Sequence, residues 1–337
     1  PTSSSAASDV YKRQILQPHL QAVESCRGFS MVDDIGFNPI RIDRGGEHSM
    51  IVGSDGQMLE IDSQNEQVNE GAMYPFPGVS SCGVVSSDHW IGSWVDRSMR
   101  KAYMGSFPLG EKWESANSDS DGSENRDVDQ SVSKSASWTR ELQSEPLTMC
   151  TVDGNIVFAC LGSGIYMIDG NASEIWRSPY PRWRELEDLV GIDSIVSLLL
   201  KEDEIYAFSS SGGYSVISKA TGHEINNGIL SNLPDRVHDV RYDQDSGWII
   251  MLHGKNVAIM NDLNSNPAIF RVPGPVMDVF PCEGGWKWTG WRHDGYFSNG
   301  RLSTFGRNEV GISLFNNIVL TNSGTWKIFE GDDQKFL

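Results

Sequence analysis

Residues Val237 to Asn261 read VHDVRYDQDSGWIIMLHGKNVAIMN. Apolar and polar residues alternate at both ends of this stretch, and a period of two is typical of half-buried β-strands. A turn rich in Asp and Gly at 243–247 and a second turn at Gly254 interrupt the alternation. Such residues mark hairpins, so the stretch predicts three antiparallel strands joined by two short turns.

The same order of strands and turns recurs along the chain at intervals of about forty residues. The innermost strands are predicted to begin near residues 39, 81, 148, 195, 238, 277 and 311. A repeat of this length, built from four short strands, is typical of blades that stack around an axis. We therefore predict an all-β fold, a seven-bladed β-propeller of four-stranded antiparallel blades, in a single domain that spans residues 15–337.

Each clear unit has a glycine in its second hairpin turn, where we expect the positive φ that tight turns require. These glycines are Gly56, Gly164, Gly213, Gly254, Gly295 and Gly324. The last unit shows only three strands before Leu337. We predict that an N-terminal strand, Cys26–Val32, supplies the fourth strand and closes the ring.

Two segments stand outside the repeat. Residues 1–14 resemble translated sequencing-adaptor read-through, so we exclude them from the fold and assign no cellular location, with the cytoplasm slightly favoured. Residues 116–137 are rich in Ser and Asp and contain too little apolar surface to order themselves, which predicts a disordered loop. No stretch approaches 18 consecutive apolar residues, so we predict no transmembrane helix.

The charge balance excludes some partners. The chain has 27 Lys and Arg against 45 Asp and Glu, a formal charge of −18, which would repel nucleic acid and anionic membranes. The 5 cysteines are scattered and include no Cys-x-x-Cys pair, so neither a zinc site nor a disulfide framework is expected. The remaining expectation is a monomeric chain with a protein partner.

Two stretches resemble the repeats of quinoprotein-like (PQQ-repeat) propellers, namely Ile156–Trp176, IVFACLGSGIYMIDGNASEIW, and Glu204–Ile225, EIYAFSSSGGYSVISKATGHEI. Val237–Asn261 is similar to a WD40 repeat. Members of the quinoprotein family that hold pyrroloquinoline quinone do so with adjacent cysteines, and this chain has no adjacent pair, so we predict no cofactor. Members without that site typically act as scaffolds, so the resemblance implies a non-catalytic scaffold for protein–protein interaction.

Two carboxylates are candidates for a site in the axial channel. Asp239 and Asp278 each stand third in a Val-x-Asp-Val entry to an inner strand, in neighbouring blades, which places them near the same end of the channel. They either bind a cation or a basic partner, or make local structural hydrogen bonds. The first use gives an enzymatic alternative, a hydrolase or lactonase with a divalent cation. For His238-Asp239 in a strand and His293-Asp294 in a hairpin turn, we expect structural roles.

Aromatic residues give a third hypothesis, a carbohydrate-binding module. Trp286 and Trp288 share one face of a strand, and they either lie exposed at a blade edge as a binding platform or pack between blades. The stretch WRSPYPRWR brings Arg182, Trp183 and Arg184 together and would suit an acidic peptide or a carbohydrate. No Gly-x-Ser-x-Gly or His-Glu-x-x-His motif appears, and we predict no catalytic residue and no metal ligand.

Overall fold

The computed structural model describes residues 34–116, 132–186, 193–315 and 317–331, which all belong to one compact unit. In this part of the chain the strands form seven antiparallel sheets, each built from strands that are consecutive in sequence. The sheets are the blades of a seven-bladed β-propeller, and most have four strands. The fold class predicted from the repeat is confirmed.

The strands of blades 1 to 3 are β1 (Pro39–Arg44), β2 (His48–Gly53), β3 (Met58–Asp62); β4 (Ser80–Ser86), β5 (His89–Asp96), β6 (Lys101–Pro108), β7 (Trp138–Leu142); β8 (Pro146–Val152), β9 (Asn155–Cys160), β10 (Gly164–Ile168) and β11 (Glu174–Ser178). Those of blades 4 and 5 are β12 (Ile195–Lys201), β13 (Glu204–Ser209), β14 (Gly213–Ser218), β15 (Glu224–Ile229); β16 (Val237–Asp243), β17 (Gly247–Leu252), β18 (Asn256–Met260) and β19 (Ala268–Arg271). Those of blades 6 and 7 are β20 (Val276–Cys282), β21 (Gly285–Gly290), β22 (His293–Ser298), β23 (Arg301–Gly306); β24 (Gly311–Phe315), β25 (Ile318–Thr321) and β26 (Trp326–Ile328).

The blades follow one another around the axis in sequence order. The inner strand of blade 1, β1, contacts β4 of blade 2 on one side and β24 of blade 7 on the other, so the ring closes on itself. Blades 1 and 7 have three named strands each. In blade 1 the chain that follows β3 partly fills the fourth position, since isolated bridges join Met58 to Met73 and Ile61 to Gln67.

Apolar side chains packed between neighbouring blades hold the ring together. The second strand of blade 5, β17, is buried along almost its whole length because it has a blade on either side. Between blades 4 and 5, the rings of Tyr206 and Phe208 lie 5.1 and 5.5 Å from the ring of Trp248. The outermost strand of blade 4, β15, is exposed over most of its length. Burial of apolar surface between blades is therefore the main stabilising term.

A β-bulge occurs at the same place in all seven inner strands, between the first and the third residue. The bulge bends the strand where it enters the axial channel and sets one residue per blade at an equivalent position. These residues are Arg41, Cys82, Thr148, Ser197, Asp239, Asp278 and Ser313. Asp239 and Asp278 thus occupy equivalent positions in neighbouring blades.

The glycines of the second hairpin turns do not all serve the turn, and the prediction of a positive φ is wrong for half of them. Gly56, Gly164 and Gly324 have φ of 86°, 154° and 83°. Gly213, Gly254 and Gly295 have no positive φ. Gly295 lies inside β22, and a Cβ there would be 2.7 Å from Nε1 of Trp288, so glycine is required for the packing of that tryptophan.

The Ser-rich segment 116–137 lies between β6 and β7, inside blade 2. Its residues 117–131 fall outside the described residues, whereas its last residues pack onto the propeller. Val132 is buried in the core between blades 1 and 2, and the backbone N–H of Ser133 donates to the carbonyl of Pro75 at 2.9 Å. The final residues of the segment thus attach the entry of β7 to blade 1.

The predicted closing strand, Cys26–Val32, lies outside the described residues. The described chain begins two residues later in the sequence, at Asp34, which forms an isolated antiparallel bridge with Thr325 of blade 7. The backbone N–H of Ile35 donates to the carbonyl of Gly324 at 2.9 Å. Chain from the N-terminal side therefore meets blade 7 next to β26, the third and last named strand of that blade.

Candidate binding face

The two ends of the propeller differ in which loops they carry. The turns that join first to second strands and third to fourth strands lie at one end, here called the turn face. The turns that join second to third strands and the connections between blades lie at the opposite end, here called the connector face. Loops held on a rigid scaffold are where binding residues concentrate, so each face is a candidate for recognition.

The turn face is acidic. In six blades the turn between the first and second strands exposes at least one carboxylate. These residues are Glu47, Asp88, Asp153, Glu202, Asp203, Asp245 and Glu283. Lys219 compensates two of them, because its Nζ lies 2.9 Å from Asp153 and 2.7 Å from Asp203. These turns therefore carry a net negative charge around one mouth of the channel.

The carboxylate of Asp278 is held by an ion pair and by hydrogen bonds within the protein. Its side chain is 7% exposed and pairs with the guanidinium of Arg44, whose Nη1 lies 3.1 Å from Oδ1. Oδ2 also accepts hydrogen bonds from Oγ of Ser313 and from the backbone N–H of Leu314, each at 2.7 Å. Burial by itself would raise the pKa of Asp278, but Arg44 and these hydrogen bonds hold it below its usual value. Both oxygens of Asp278 have protein partners, which favours the structural alternative, and the binding role of Asp278 stays a prediction.

Asp239, at the equivalent position of blade 5, is more open. Its Oδ2 lies 2.6 Å from Nη1 of Arg241, and its Oδ1 accepts the backbone N–H of Val240 at 2.7 Å. The side chain is half-buried, and its pair with Arg241 is partly exposed. Asp239 and Asp278 therefore occupy equivalent positions in neighbouring blades, and each carboxylate pairs with its own arginine.

The second His-Asp pair lies in strand β22 and not in the hairpin turn where the sequence analysis placed it. Asp294 is fully buried with Arg307, whose Nη2 lies 2.8 Å from Oδ2. Asp294 also accepts hydrogen bonds from the Oγ1 hydroxyl of Thr289 at 2.7 Å and from the backbone N–H of Glu330 at 3.0 Å. His293 is fully buried as well, and burial lowers its pKa. The group fastens blade 6 to the end of blade 7.

Trp286 and Trp288 are not a binding platform, which corrects that part of the sequence prediction. Both rings are buried in the core between blades 5 and 6. The indole N–H of Trp286 donates to the carbonyl of Ser246 at 3.2 Å. The exposed aromatic of this region is Trp291, 57% exposed in the turn between β21 and β22 on the connector face. Strand periodicity grouped the right residues, but it does not reveal which face another blade covers.

In the basic stretch after blade 3, the fold buries the aromatic ring and leaves the arginines exposed. Trp183 is buried, and its indole N–H donates to the carbonyl of Tyr214 at 2.9 Å in blade 4. Arg182 and Arg184, on either side of it, are exposed on the connector face. The two arginines are therefore available to a partner, whereas the aromatic ring predicted beside them fastens two blades together.

Exposed apolar side chains outside the predicted site residues make the connector face partly apolar. Within the described residues, nine large hydrophobic side chains are exposed, and five of them lie at this end of the propeller. They are Ile40, Tyr74, Val79, Met99 and Trp291. The sequence signal that marks them is position, because each lies in a blade connection, in a second hairpin turn or at an inner-strand bulge.

The described cysteines, Cys82, Cys150, Cys160 and Cys282, are free thiols. Burial raises the pKa of Cys150 to about 12, so this thiol is unreactive at neutral pH. Within the described ranges, no three His, Cys, Asp or Glu side chains are grouped closely enough to hold a metal ion. The same part of the chain contains no helix with the length and apolar character needed to cross a membrane.

Fold and site together define the class, a seven-bladed β-propeller with one acidic end and one partly apolar end. No family model and no curated protein matches the sequence. Among solved structures, the chain is similar to the computationally designed Ika8 protein, with a TM-score of 0.55 and 10% identity over 90% of this chain and 98% of that one. It is also similar to BamB from Moraxella catarrhalis, with a TM-score of 0.51 and 11% identity over 85% and 81% of the two chains. At these identities the similarity concerns the fold alone.

Proposed function

We propose that this chain is a non-catalytic scaffold that binds another protein through its connector face. The observation that carries the proposal is the concentration of exposed apolar side chains at that end, including Met99 at 42% and Trp291 at 57%. Apolar groups collected on one surface are typical of protein-binding sites. Because the loops are mounted on a closed ring of blades, little ordering is needed when a partner binds.

The enzymatic alternative receives less support from the channel acids. A cation at Asp278 would compete with Arg44, Ser313 and the backbone of Leu314 for the same two oxygens. Asp239 supplies one half-buried carboxylate that already faces Arg241. The carboxylates that a hydrolase or lactonase would use are therefore engaged by protein groups, Asp278 with residues of blades 1 and 7 and Asp239 with its neighbours in β16.

The carbohydrate-binding alternative loses most of its aromatic platform. The rings of Trp183, Trp286 and Trp288 are buried and cannot stack on a sugar. Trp291 remains exposed, with Arg292 beside it in the same turn. One exposed indole suits a protein partner at least as well as a sugar, since tryptophan and arginine are enriched where proteins bind each other.

Lysines on both faces allow a test without substitutions in the chain. Affinity-tagged chain would be cross-linked in the cells that encode it with an amine-reactive reagent, purified and analysed by mass spectrometry. We expect a stoichiometric partner linked to Lys101 and Lys255 on the connector face. Lys112 and Lys219, on the turn face, are the internal control and should form no partner links. A partner linked only through the control lysines, or the recovery of no partner, would overturn the proposal.

A further inference from the structure

Blade 2 has a hairpin that rises above its inner strand. Ser80, the first residue of β4, pairs with Trp94, but β5 and β6 continue beyond this point through the pairs Val95–Ala102 and Asp96–Lys101. In the other six blades the second strand ends at the residue that pairs with the first residue of the inner strand. Two extra residue pairs, at roughly 3.3 Å each, raise the tip of this hairpin by about 7 Å over the connector face.

The tip of the blade-2 hairpin presents two unpaired cations around an apolar side chain. Arg97, Ser98, Met99 and Arg100 are all exposed. Oδ1 of Asp96 accepts the backbone N–H groups of Ser98 at 2.8 Å and Met99 at 3.0 Å, which fixes the turn. Within the described residues, the guanidinium groups of Arg97 and Arg100 make no ion pair or hydrogen bond. The turn therefore holds its shape without using its arginines.

An apolar strip lies at the base of this hairpin. Val79, which directly precedes β4, is 39% exposed, and Ile40, at the bulge of β1, is 40% exposed. The neighbour of Ile40, Arg41, donates from Nη1 to the carbonyl of Ser80 at 2.7 Å, which joins the two inner strands at this level. Ile40, Val79 and the raised Met99 therefore belong to one edge of the connector face, between blades 1 and 2.

We propose that the tip of the blade-2 hairpin, where Met99 lies between Arg97 and Arg100, and the strip at its base, Ile40 and Val79, bind a partner segment in which acidic and apolar residues are interspersed. The inference rests on the proposed scaffold function and names the chemistry of the partner. Carboxylates pair well with Arg97 and Arg100, and apolar side chains cover the strip. Asp55, exposed on the neighbouring hairpin of blade 1, bounds this positive region on the side of blade 1.

Charge complementarity also selects the face. The molecule has a net charge of −18, and the turn face exposes a carboxylate in six of its blades. An acidic segment is repelled there and meets unpaired arginines at the blade-2 hairpin. A basic segment would instead be attracted to the turn face, so the sign of the partner's charge decides between the two ends.

Synthetic peptides test this directly. A short fluorescein-labelled peptide in which Glu and Leu alternate would be titrated with the full chain and followed by fluorescence anisotropy. Peptides that alternate Lys with Leu, or Glu with Ser, separate charge from apolar contact. We expect saturable binding of the Glu-Leu peptide only, weakened by salt. Equal or tighter binding of the Lys-Leu peptide would overturn the proposal, and so would failure of the Glu-Leu peptide to bind.

Matched variants place the binding on the hairpin. Arg97→Glu together with Arg100→Glu should weaken binding of the Glu-Leu peptide at least tenfold, and Met99→Ser should weaken it several-fold. The controls are Arg301→Glu in β23 and Ile225→Ser in β15, on the outermost strands of blades 6 and 4, where both side chains are also exposed. These should leave binding unchanged. Equal losses in the two sets of variants would show that the blade-2 hairpin is not the site.

The same variants separate this inference from the scaffold proposal. If a natural partner still cross-links to the connector face of the Arg97→Glu, Arg100→Glu chain at wild-type yield, the scaffold function stands and the hairpin site is wrong. If the wild-type chain recovers no partner, the scaffold function fails, and the peptide titration still decides whether the hairpin recognises acidic, apolar segments.

Discussion

Arg44 of blade 1 donates hydrogen bonds to Asp278 of blade 6 and thereby spans the intervening blade 7. On the way its Nη2 donates to Oγ of Ser313 and to the carbonyl of Leu314, each at 2.7 Å, both in blade 7. The two charged partners are separated by 234 residues in sequence. One side chain thus ties the first blade to the last two at the place where the ring closes.

Loss of this ion pair should destabilise the ring. Asp278→Asn leaves the charge of Arg44 without its counter-ion, and we expect the free energy of unfolding to fall by about 3 kcal/mol, near the lower end for a broken buried pair because Arg44 is partly exposed. The matched control is Asp239→Asn in blade 5, whose pair with Arg241 is more exposed and should cost less than about 1 kcal/mol. Urea unfolding measures the free energy of unfolding of both variants. Equal losses would show that the pair of Arg44 with Asp278 does not tie the blades together.

The buried His293 should make stability depend on pH. Burial lowers the pKa of His293 in the folded chain, so below a pH of about 6.5 the unfolded chain binds more protons than the folded one. Stability contributed by the neutral imidazole is therefore complete above that pH and is lost as the pH falls. His293→Gln should show a shallower loss of stability between about pH 7 and pH 5 than the wild type. His223→Gln, at an exposed histidine, is the control and should keep the wild-type slope.

Replacement by alanine should affect stability very differently at two tryptophans that lie three residues apart in the sequence. Trp288 is fully buried between blades, so Trp288→Ala should lower the free energy of unfolding by about 3–5 kcal/mol. Trp291 is exposed, and Trp291→Ala should change it by less than about 0.5 kcal/mol. Chemical denaturation with intrinsic fluorescence measures both variants. A small loss at Trp288 would mean that its ring is not part of the core.

The repeat was predictable because the pattern of each hairpin, alternating residues in two strands and turn residues between them, lies within a short stretch of sequence. Alternating strands and short turns placed all seven inner strands within two residues of their positions in the structure. The pairing of Arg44 with Asp278 was not predictable, because it depends on how the ring closes rather than on any local pattern. The burial of Trp286 and Trp288 was not predictable either, because the period of two identifies a shared face but not the blade that covers it.

The raised hairpin of blade 2 is recognisable by the length of its strands. Its strands β5 and β6 are eight residues long, against four to six for the other second and third strands apart from the three-residue β26. Length above the repeat average therefore marks a hairpin that projects. The unpaired state of Arg97 and Arg100 became visible only in the structure, because it depends on which neighbouring blades supply acids.

Closure of blade 7 by Cys26–Val32 remains a prediction, and the register of the bridge between Asp34 and Thr325 makes it specific. If the antiparallel pairing continues, Val32 will face Lys327 across a pair that permits a disulfide. In a Cys26→Ser background, Val32→Cys with Lys327→Cys should therefore oxidise to an intramolecular disulfide in the folded chain, detected by mass spectrometry.

The control for closure shifts the register by one residue. Val32→Cys with Ile328→Cys places the two thiols on opposite faces of paired strands, so this variant should stay reduced under the same conditions. A chain that starts at Phe37 should also unfold at lower urea than one that starts at Ile15, because blade 7 would then lack its fourth strand. Equal stability of the two chains, or oxidation of both cysteine pairs alike, would mean that the ring is closed without this strand, and the tie from Arg44 to Asp278 would then be the stronger explanation of closure.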